Sequence, residues 1–535
     1  MSIFSIGVSG LNAAQQALYT AGNNISNVYT PGYNREVALL GESNTGGVKV
    51  NDIQRQFSQF VASQLNASSS KLSSLQTYET QVSQIDSLLA DQEAGLAPLM
   101  QKFFSSLEDL AGTPSDPAAR QGLLGTADTL TAQFRSFDDY LSDIQQGING
   151  QIRDEVIQIN NTAEQIAGLN REIGLAKAKT GSAPNSLLNQ RDQLVAELSQ
   201  RADVRLNIQD GGTYNLTIGN GQPLVAGSHS YRLEAMGSSA DPSRMVVGYN
   251  DSAGNLVELK ENTFKSGTLG GLLSFRSETL DKAQNQLGQL AVSLAQGFNA
   301  RHKLGVDLNG EPGKDFFAVG EPLVYSNADN TGNAELGAVF GDINELSASS
   351  YDLRFDGGDM IVTRRDTGAQ VAANYDASAG TLRFGGMELT LSGTPQAGDR
   401  FHVNPVQRAA GGFQNLIRDT AGIAAGLEPG SGDNRNALAL QDLQNKQLVG
   451  GKATFNQAYG ALVSDVGNRT NVVKVNLAAQ QGLNEQLRGL QQSESGVNLD
   501  EEAANLLRYQ QYYQANAKVI EVGSTVIDTL LGLRA

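Results

Sequence analysis

Residues 1–34 read MSIFSIGVSGLNAAQQALYTAGNNISNVYTPGYN, and none carries a charged side chain. Within them Phe4, Gly7, Leu11, Ala14, Leu18, Ala21, Ile25 and Val28 recur at alternating spacings of three and four. That rhythm predicts a helix with one coiled-coil-like seam. Asn23, Asn24 and Asn27 followed by Pro31-Gly32 predict its stop and a type II turn that redirects the chain. The far end is built alike. In NLDEE, residues 498–502, Asn498 reads as an N-cap and Glu501 as the third helical residue of a capping-box variant, with three acids suited to the helix dipole. Leu499, Ala503, Leu506, Tyr513, Ala517, Ile520, Ile527 and Leu531 then form a seam, widened by Val519, Val522, Val526 and Leu533 to a second face. A helix apolar on two sides needs more than one neighbour. Gly523 interrupts it, at a cost of about 1 kcal/mol relative to Ala.

Between these ends the chain is too long, at 535 residues, for one ordinary core. Its formal charge of -17 argues against nucleic-acid or anionic-membrane partners, which demand basic patches. Cysteine is absent, which excludes disulfides and thiolate metal sites, and tryptophan is absent too. No apolar run is long enough to cross a bilayer, so membrane insertion is not expected. The first basic residue is Arg35, so no Sec-type signal peptide is expected either. That combination predicts a protein that stays in the cytosol or leaves by a route that reads no such signal.

The periodicity switches several times. Helical patterning runs from about Ile53 to Leu110 and, after the Pro-rich turn TPSDPAAR, from Ala118 towards Lys179. There Ile152, Val156, Ile159, Ala163, Ile166 and Ile173 keep a heptad rhythm. Such length predicts a rod-like bundle. VRLNI, TYNLTI and RMVVGY, separated by Gly- and Asn-rich turns, predict a small β domain over 201–265. A helix returns from Thr268 to His302, a second β block spans about 325–405, and helical patterning resumes near Phe413. The expected fold is multidomain α+β: a long helical bundle and coiled-coil core formed by both chain ends, with small β-rich outer domains inserted. The predicted division is 1–50 with 480–535 as the terminal helical domain, and 51–200, 266–324 and 406–479 as the long-helix bundle. Residues 201–265 and 325–405 are the two β-rich domains.

Catalysis finds no foothold. His229, His302 and His402 are the only histidines and lie far apart in sequence. GEPGK at 310–314 lacks the P-loop spacing, GNG at 219–221 and GSG at 430–432 lack a third glycine, and DLNGE at 307–311 puts Pro312 where an EF-hand needs glycine. No cofactor or metal is expected. Composition and spacing fit two accounts of the ends: a helical hairpin closing one core, or tails that pack against other subunits.

The motifs at the ends decide between them. Ser9–Ala14, Asn23–Asn27 and Thr30–Tyr33 reproduce SGLxAA, NNIxN and TxGY, and LDEEAANLLRYQQYYQANAKVI at 499–520 pairs with them. Together they resemble the signatures of the bacterial flagellar axial proteins, the rod, hook and junction subunits. YTPGYNRE, LLNQRDQLVAELS (187–199), QDGGTYNLTIGNGQPLV (209–225), GDNRNALAL (432–440) and TFNQAYGALVSDVG (454–467) are similar to the first hook–filament junction proteins, the hook-associated protein 1 family. Tyr29 departs from the more usual Asn, and the block 325–405 carries no such resemblance.

The resemblance implies a structural adaptor that assembles on the hook tip and joins hook to filament. Its terminal helices would be disordered in the monomer and fold on docking. Implied subunit-interface residues are Leu11, Leu18, Asn23, Asn24, Ile25, Asn27, Pro31, Gly32, Tyr33, Leu499, Leu506, Tyr509, Tyr513, Ile520, Ile527 and Leu531, with the asparagines fixing register between subunits. Implied partners are hook protein, the second hook–filament junction protein, further copies in a ring, an export chaperone on the C-terminal helix, and the flagellar type III export apparatus. The implied location is the extracellular flagellum, reached from the cytoplasm without a cleaved signal peptide. The competing readings are a hook-type axial subunit, an adhesin carried by 325–405, and a hydrolase hidden in a β insertion.

Overall fold

The computed structural model of the chain describes residues 3–44, 46–89, 95–219, 221–251 and 253–533. Among these, ten α-helices carry the frame: α1 (Ile3–Ser26), α2 (Gln59–Leu89), α3 (Leu96–Gly112), α4 (Pro117–Thr180), α5 (Asn185–Arg201), α6 (Gly267–Phe275), α7 (Asp281–His302), α8 (Arg435–Gln441), α9 (Phe455–Ser495) and α10 (Leu499–Gly532). The strands β1 (Glu36–Glu42) and β2 (Val48–Arg55) form an antiparallel hairpin against α1.

Helix α4 sets the scale, because its 64 residues extend for roughly 95 Å. Its start is well specified: Asp116 accepts a hydrogen bond from Ala118 N–H, and Pro117 fills the first helical position, where no backbone donor is needed. Gly181, at φ 81°, ends it in the left-handed conformation that glycine adopts without strain. All six residues of the expected heptad, Ile152 to Ile173, are buried. All but Ile173 belong to one continuous core that α4 shares with α3, α5, α6 and α7. Its densest part is aromatic: Phe298 lies 4.9 Å from Phe316, 5.2 Å from Phe317 and 5.5 Å from Phe103, ring centroid to ring centroid.

The same core extends into the first β region through Tyr214, Leu216, Ile218, Leu224 and Val225. Consecutive antiparallel strands there build a four-stranded sheet over 204–230 and a three-stranded sheet over 233–258. A second, separate core lies between the five- and four-stranded sheets of 323–404, where Leu353, Val362, Leu389, Phe401 and Val403 meet Val292 of α7. The architecture is multidomain α+β, as the periodicity predicts.

Several local expectations change. The helical stretch expected from Ile53 begins as strand β2 and becomes helix only at Gln59; its residues 90–94 lie outside the described residues. Helix α9 runs unbroken past residue 480, so the two parts of the chain meet at the turn after Ser495. Phe413 does not open a helix. Residues 410–424 form short turns strapped across α4, where Arg135 donates to Phe413 O and buried Arg120 donates to Thr420 O and Ile423 O. Those carbonyls are satisfied by guanidinium groups, which removes the need for helical partners.

One part of the bundle is polar inside. Gln480 and Asn484 of α9 are buried, and they donate to Ser68 and Ser69 of α2 at 2.8–3.3 Å. Beside them Val472, Val475, Leu483 and Leu490 leave α9 exposed.

Candidate assembly interface

Helices α1 and α10 pair antiparallel through small residues. A Cβ on Gly7 would lie 2.6 Å from Ile520 Cγ1, one on Gly10 2.0 Å from Asn516 Oδ1, and one on Gly523 3.2 Å from Ile3 Cγ2. Gly523 is therefore a site of close approach rather than a weak point in α10. The buried face of α1 is Gly7, Gly10, Ala13, Ala14, Ala17, Thr20, Ala21 and Asn24, so the expected large seam residues Leu11, Leu18 and Ile25 move to its half-buried flank. Glycine and alanine let the two backbones come close, and the leucines are displaced sideways. On α10 the contacts with α1 fall at Glu502, Asn516, Ile520 and Gly523.

At the far end of this pair sits a buried polar joint. Asn24, fully buried, donates to Glu36 O at 2.8 Å and to Glu502 Oε2 at 3.0 Å. Its carbonyl accepts from Tyr33 O–H and Glu36 N–H. The Glu502 carboxylate also takes Arg35 Nε at 2.8 Å, and Arg35 reaches Glu501 at 3.2 Å. Burial, then the neighbouring Glu36 and Glu502 charges, push the Tyr33 hydroxyl well above its ordinary pKa, so it stays a proton donor. Glu502 is thus a buried carboxylate held by Asn24, Arg35 and Asn505, where loss of a partner is costly.

The three asparagines divide. Asn24 turns inward and spends its amide on Glu36 and Glu502 within the chain. Asn27 donates to Asn23 O and accepts from Thr30 O–H, so it closes the helix end. Asn23 is half-buried. Gly32 has φ 75° and Tyr33 N–H donates to Thr30 O, the geometry of the expected type II turn, with Pro31 and Gly32 exposed. Asn498 caps α10 through Asp500 N–H and Glu501 N–H, but Glu501 pairs with Arg35, so the capping box is half made. Leu506, Tyr509 and Ile520 are half-buried. Leu499, Tyr513, Ile527 and Leu531 are exposed, as are Val519, Val522, Val526 and Leu533.

A second clamp ties this joint to the helical body. Asn189 accepts from Asn34 Nδ2 at 2.7 Å and from Arg55 at 3.1 Å, and Arg55 pairs with Asp192. Asp192 accepts from Tyr214 O–H, and Arg191 stacks on the Tyr214 ring at 3.5 Å while donating to Asn170. The segment LLNQRDQL of α5 therefore holds both the terminal unit and the first β domain. Glu502, Arg35, Asn189 and Gly10 were missed by hydrophobic patterning, whereas Gly7 lay in the expected seam. The seven-residue spacing of Glu502, Tyr509, Asn516 and Gly523 was the available signal.

The histidines play no joint part. His302 is buried, with Nδ1 2.6 Å from Lys314 O and Nε2 accepting from Ala424 N–H, while His229 is exposed. Among the described residues no helix is long and apolar enough to cross a membrane.

Comparison with known families gives one answer along the chain. Residues 82–317 match the "Flagellar hook-associated protein FlgK helical domain", and 325–405 match the "Flagellar hook-associated protein 1, D2-like domain". The second match gives residues 325–405 the family resemblance that their motifs did not carry. Residues 4–34 match "Flagella basal body rod protein", and 491–533 match "Flagellar basal body rod FlgEFG protein C-terminal". Flagellar hook-associated protein 1 of Escherichia coli is 44% identical over 546 residues, covering 100% of both chains. That of Bacillus subtilis is 23% identical, covering 97% of this chain and 96% of its own. The flagellar hook junction protein FlgK of Burkholderia pseudomallei, a solved structure, superposes with a TM-score of 0.76 at 32% identity, over 80% of this chain and 99% of its own. The chain belongs to the flagellar hook-associated protein 1 family, structural proteins of the bacterial flagellum rather than enzymes.

Proposed function

We propose that the protein is the junction adaptor that assembles on the hook tip, and that the α1/α10 pair is its docking element. The observation that carries this reading is α10 itself. Of its 34 residues only Glu502 and Gly523 are buried, while Tyr512, Tyr513, Val519, Val522, Val526, Ile527, Leu530 and Leu531 stay exposed on two faces. A pair with so little buried apolar surface does not offset the entropy of ordering its helices, and it gains that surface when neighbours cover it. Folding of the ends is therefore coupled to docking. Hook protein and copies of this chain in a ring cover the two faces, and the second hook–filament junction protein lies beyond them. Before assembly the same apolar faces suit an export chaperone on the C-terminal helix, with transit through the flagellar type III apparatus to an extracellular position and no cleaved signal peptide. The uncharged α1 surface, including exposed Ile6, Val8 and Tyr19, packs on neighbours without burying charge.

Limited proteolysis tests the proposal. In the free monomer both ends are trimmed quickly back to a resistant body, and with purified hooks both ends become protected. Replacement of Ile527 and Leu531 by Asp leaves the monomer's circular dichroism unchanged and abolishes hook protection. Ends already resistant in the monomer, or hook binding by the double variant, would sink the proposal. The hook-type alternative gains no support from relatives that match over the full length as hook-associated protein 1.

A further inference from the structure

We infer that Glu261 is a keystone fixing the second β domain to the first and to the helical body, so that the outer domain turns with the bundle instead of swinging on its two connections. Residues 318–323 lead into that domain and 404–410 lead out. Two adjacent strands of chain would act as a hinge if nothing held the domain away from the hinge line. A run of charges does so, buried at Arg244, Arg276 and His402 and exposed at Arg365 and Asp352.

Glu261 begins the short turn Glu261–Thr263 where the first β domain returns to α6. Its Oε1 accepts from Arg276 Nη2 at 2.9 Å and from Arg244 Nη2 at 3.2 Å, and Arg365 Nη2 of the second β domain lies 4.0 Å away. Arg276 is fully buried and sits in a π-helical turn, Arg276–Leu280, between α6 and α7. The extra residue of a π turn re-aims side chains at such places, and Arg276 also reaches Met245 O at 2.8 Å and Asn149 Oδ1 at 3.3 Å. Arg244 grips both carboxylate oxygens of Asp281, the first residue of α7, at 2.7 and 2.9 Å.

The run continues outward. Arg365 Nη1 lies 3.4 Å from Nε2 of buried His402, whose Nδ1 is 2.7 Å from Asp352 Oδ1. Three guanidinium groups thereby face three carboxylates across three regions of the chain. Burial alone would raise the Glu261 carboxyl, yet Arg244, Arg276 and Arg365 hold it below its usual range. A second stitch crosses the same boundary: Ala328 N–H donates to Ser239 O at 3.0 Å, and Asn327 Nδ2 reaches Ser239 Oγ at 3.3 Å. Ser239 is itself fixed by Glu258. The buried end of this ionic network, at Glu261, Arg244 and Arg276, holds one geometry only while its partners are present.

Because the chain has no cysteine, two introduced ones report the geometry cleanly. Exposed Ser136 on α4 and exposed Ala379 on the outer domain, each replaced by Cys in the full chain, carry spin labels for a distance-distribution measurement. The parent is expected to give one narrow distribution, which is lost to a broad one in Glu261→Gln and in Arg365→Ala. Arg383→Ala, which breaks an exposed pair within the outer domain, is the control and leaves the distribution narrow. Arg365→Ala removes the guanidinium that the second β domain brings to Glu261 and leaves the Ser239 stitch in place, so it decides the matter even if Glu261→Gln does not fold. A broad distribution in the parent, or a narrow one in Arg365→Ala, overturns the inference.

Discussion

The two long helical regions of this molecule are held together in opposite ways. Helix α4 buries 21 of its 64 residues, most of them large and apolar, whereas α10 buries two of 34. The body closes on itself and the terminal pair leaves its contacts unfinished. In the body, apolar area drives folding at roughly 25 cal/mol per Å². In the pair, backbone proximity through Gly7, Gly10 and Gly523 and the buried Asn24–Glu502–Arg35 joint set geometry but supply little area. Domains of one chain can thus be divided between those that are stable alone and those that await neighbours.

The contrast is broken most strongly at the aromatic centre. Phe298→Ala should cost the body about 3–5 kcal/mol, seen as a lowered denaturation midpoint, while proteolysis of the ends of the folded monomer stays unchanged. If the ends respond equally, the two regions are one cooperative unit. Next comes Glu502→Ala, which strands Arg35 and the Asn24 amide. Protection of the ends on hooks should be lost, with the body's midpoint moving by less than about 1 kcal/mol.

Asp138 sharpens the body's side through pH. Burial, against the partial pull of Arg408, raises its carboxyl from 3.8 to about 6. A raised folded-state value means the protonated form is favoured, so this contribution to stability is lost as pH rises from the ordinary carboxylate range through about 6. Asp138→Asn should therefore stabilise at pH 8 by up to about 3 kcal/mol, with the gain vanishing near pH 4. Urea titrations at the two pH values check it. Gln480→Ala, in the polar seam between α2 and α9, should cost about 1–2 kcal/mol because Ser68 loses a buried partner. Smallest is Gly523→Ala. Better helix propensity by about 1 kcal/mol opposes the tight contact with Ile3, so the net change in hook affinity should be slight. A large loss would show that backbone proximity here matters more than helix order.

What was legible in the sequence follows the same division. The heptad of α4 could be read because isoleucine and valine announce a buried face. The α1 seam could be read only in part: Gly7, Ala14 and Ala21 are buried as the rhythm predicts, but Gly10, Ala13 and Ala17 carry almost no hydrophobic signal and the leucines beside them carry a strong one. The joint was hard to read for a different reason: Asn24 and Glu502 are 478 positions apart, and only the seven-residue spacing along α10 marks Glu502 as facing α1. The strap at 410–424 has helical spacing of apolar residues, but arginines of α4 claim its carbonyls. The terminal motifs, by contrast, were specific enough to give the family from about sixty residues.

Helix α10 continues past the contact of Gly523 with Ile3, through Ile527, Leu530 and Leu531, to Gly532. At 1.5 Å per residue that projection is roughly 14 Å of single helix, with Val526, Ile527, Leu530 and Leu531 along one side and Thr525, Asp528 and Thr529 along the other. On the proposed function this projection is a tenon: its apolar side seats against neighbouring subunits while exposed Asp528 stays in water, so docking through it admits one rotational setting.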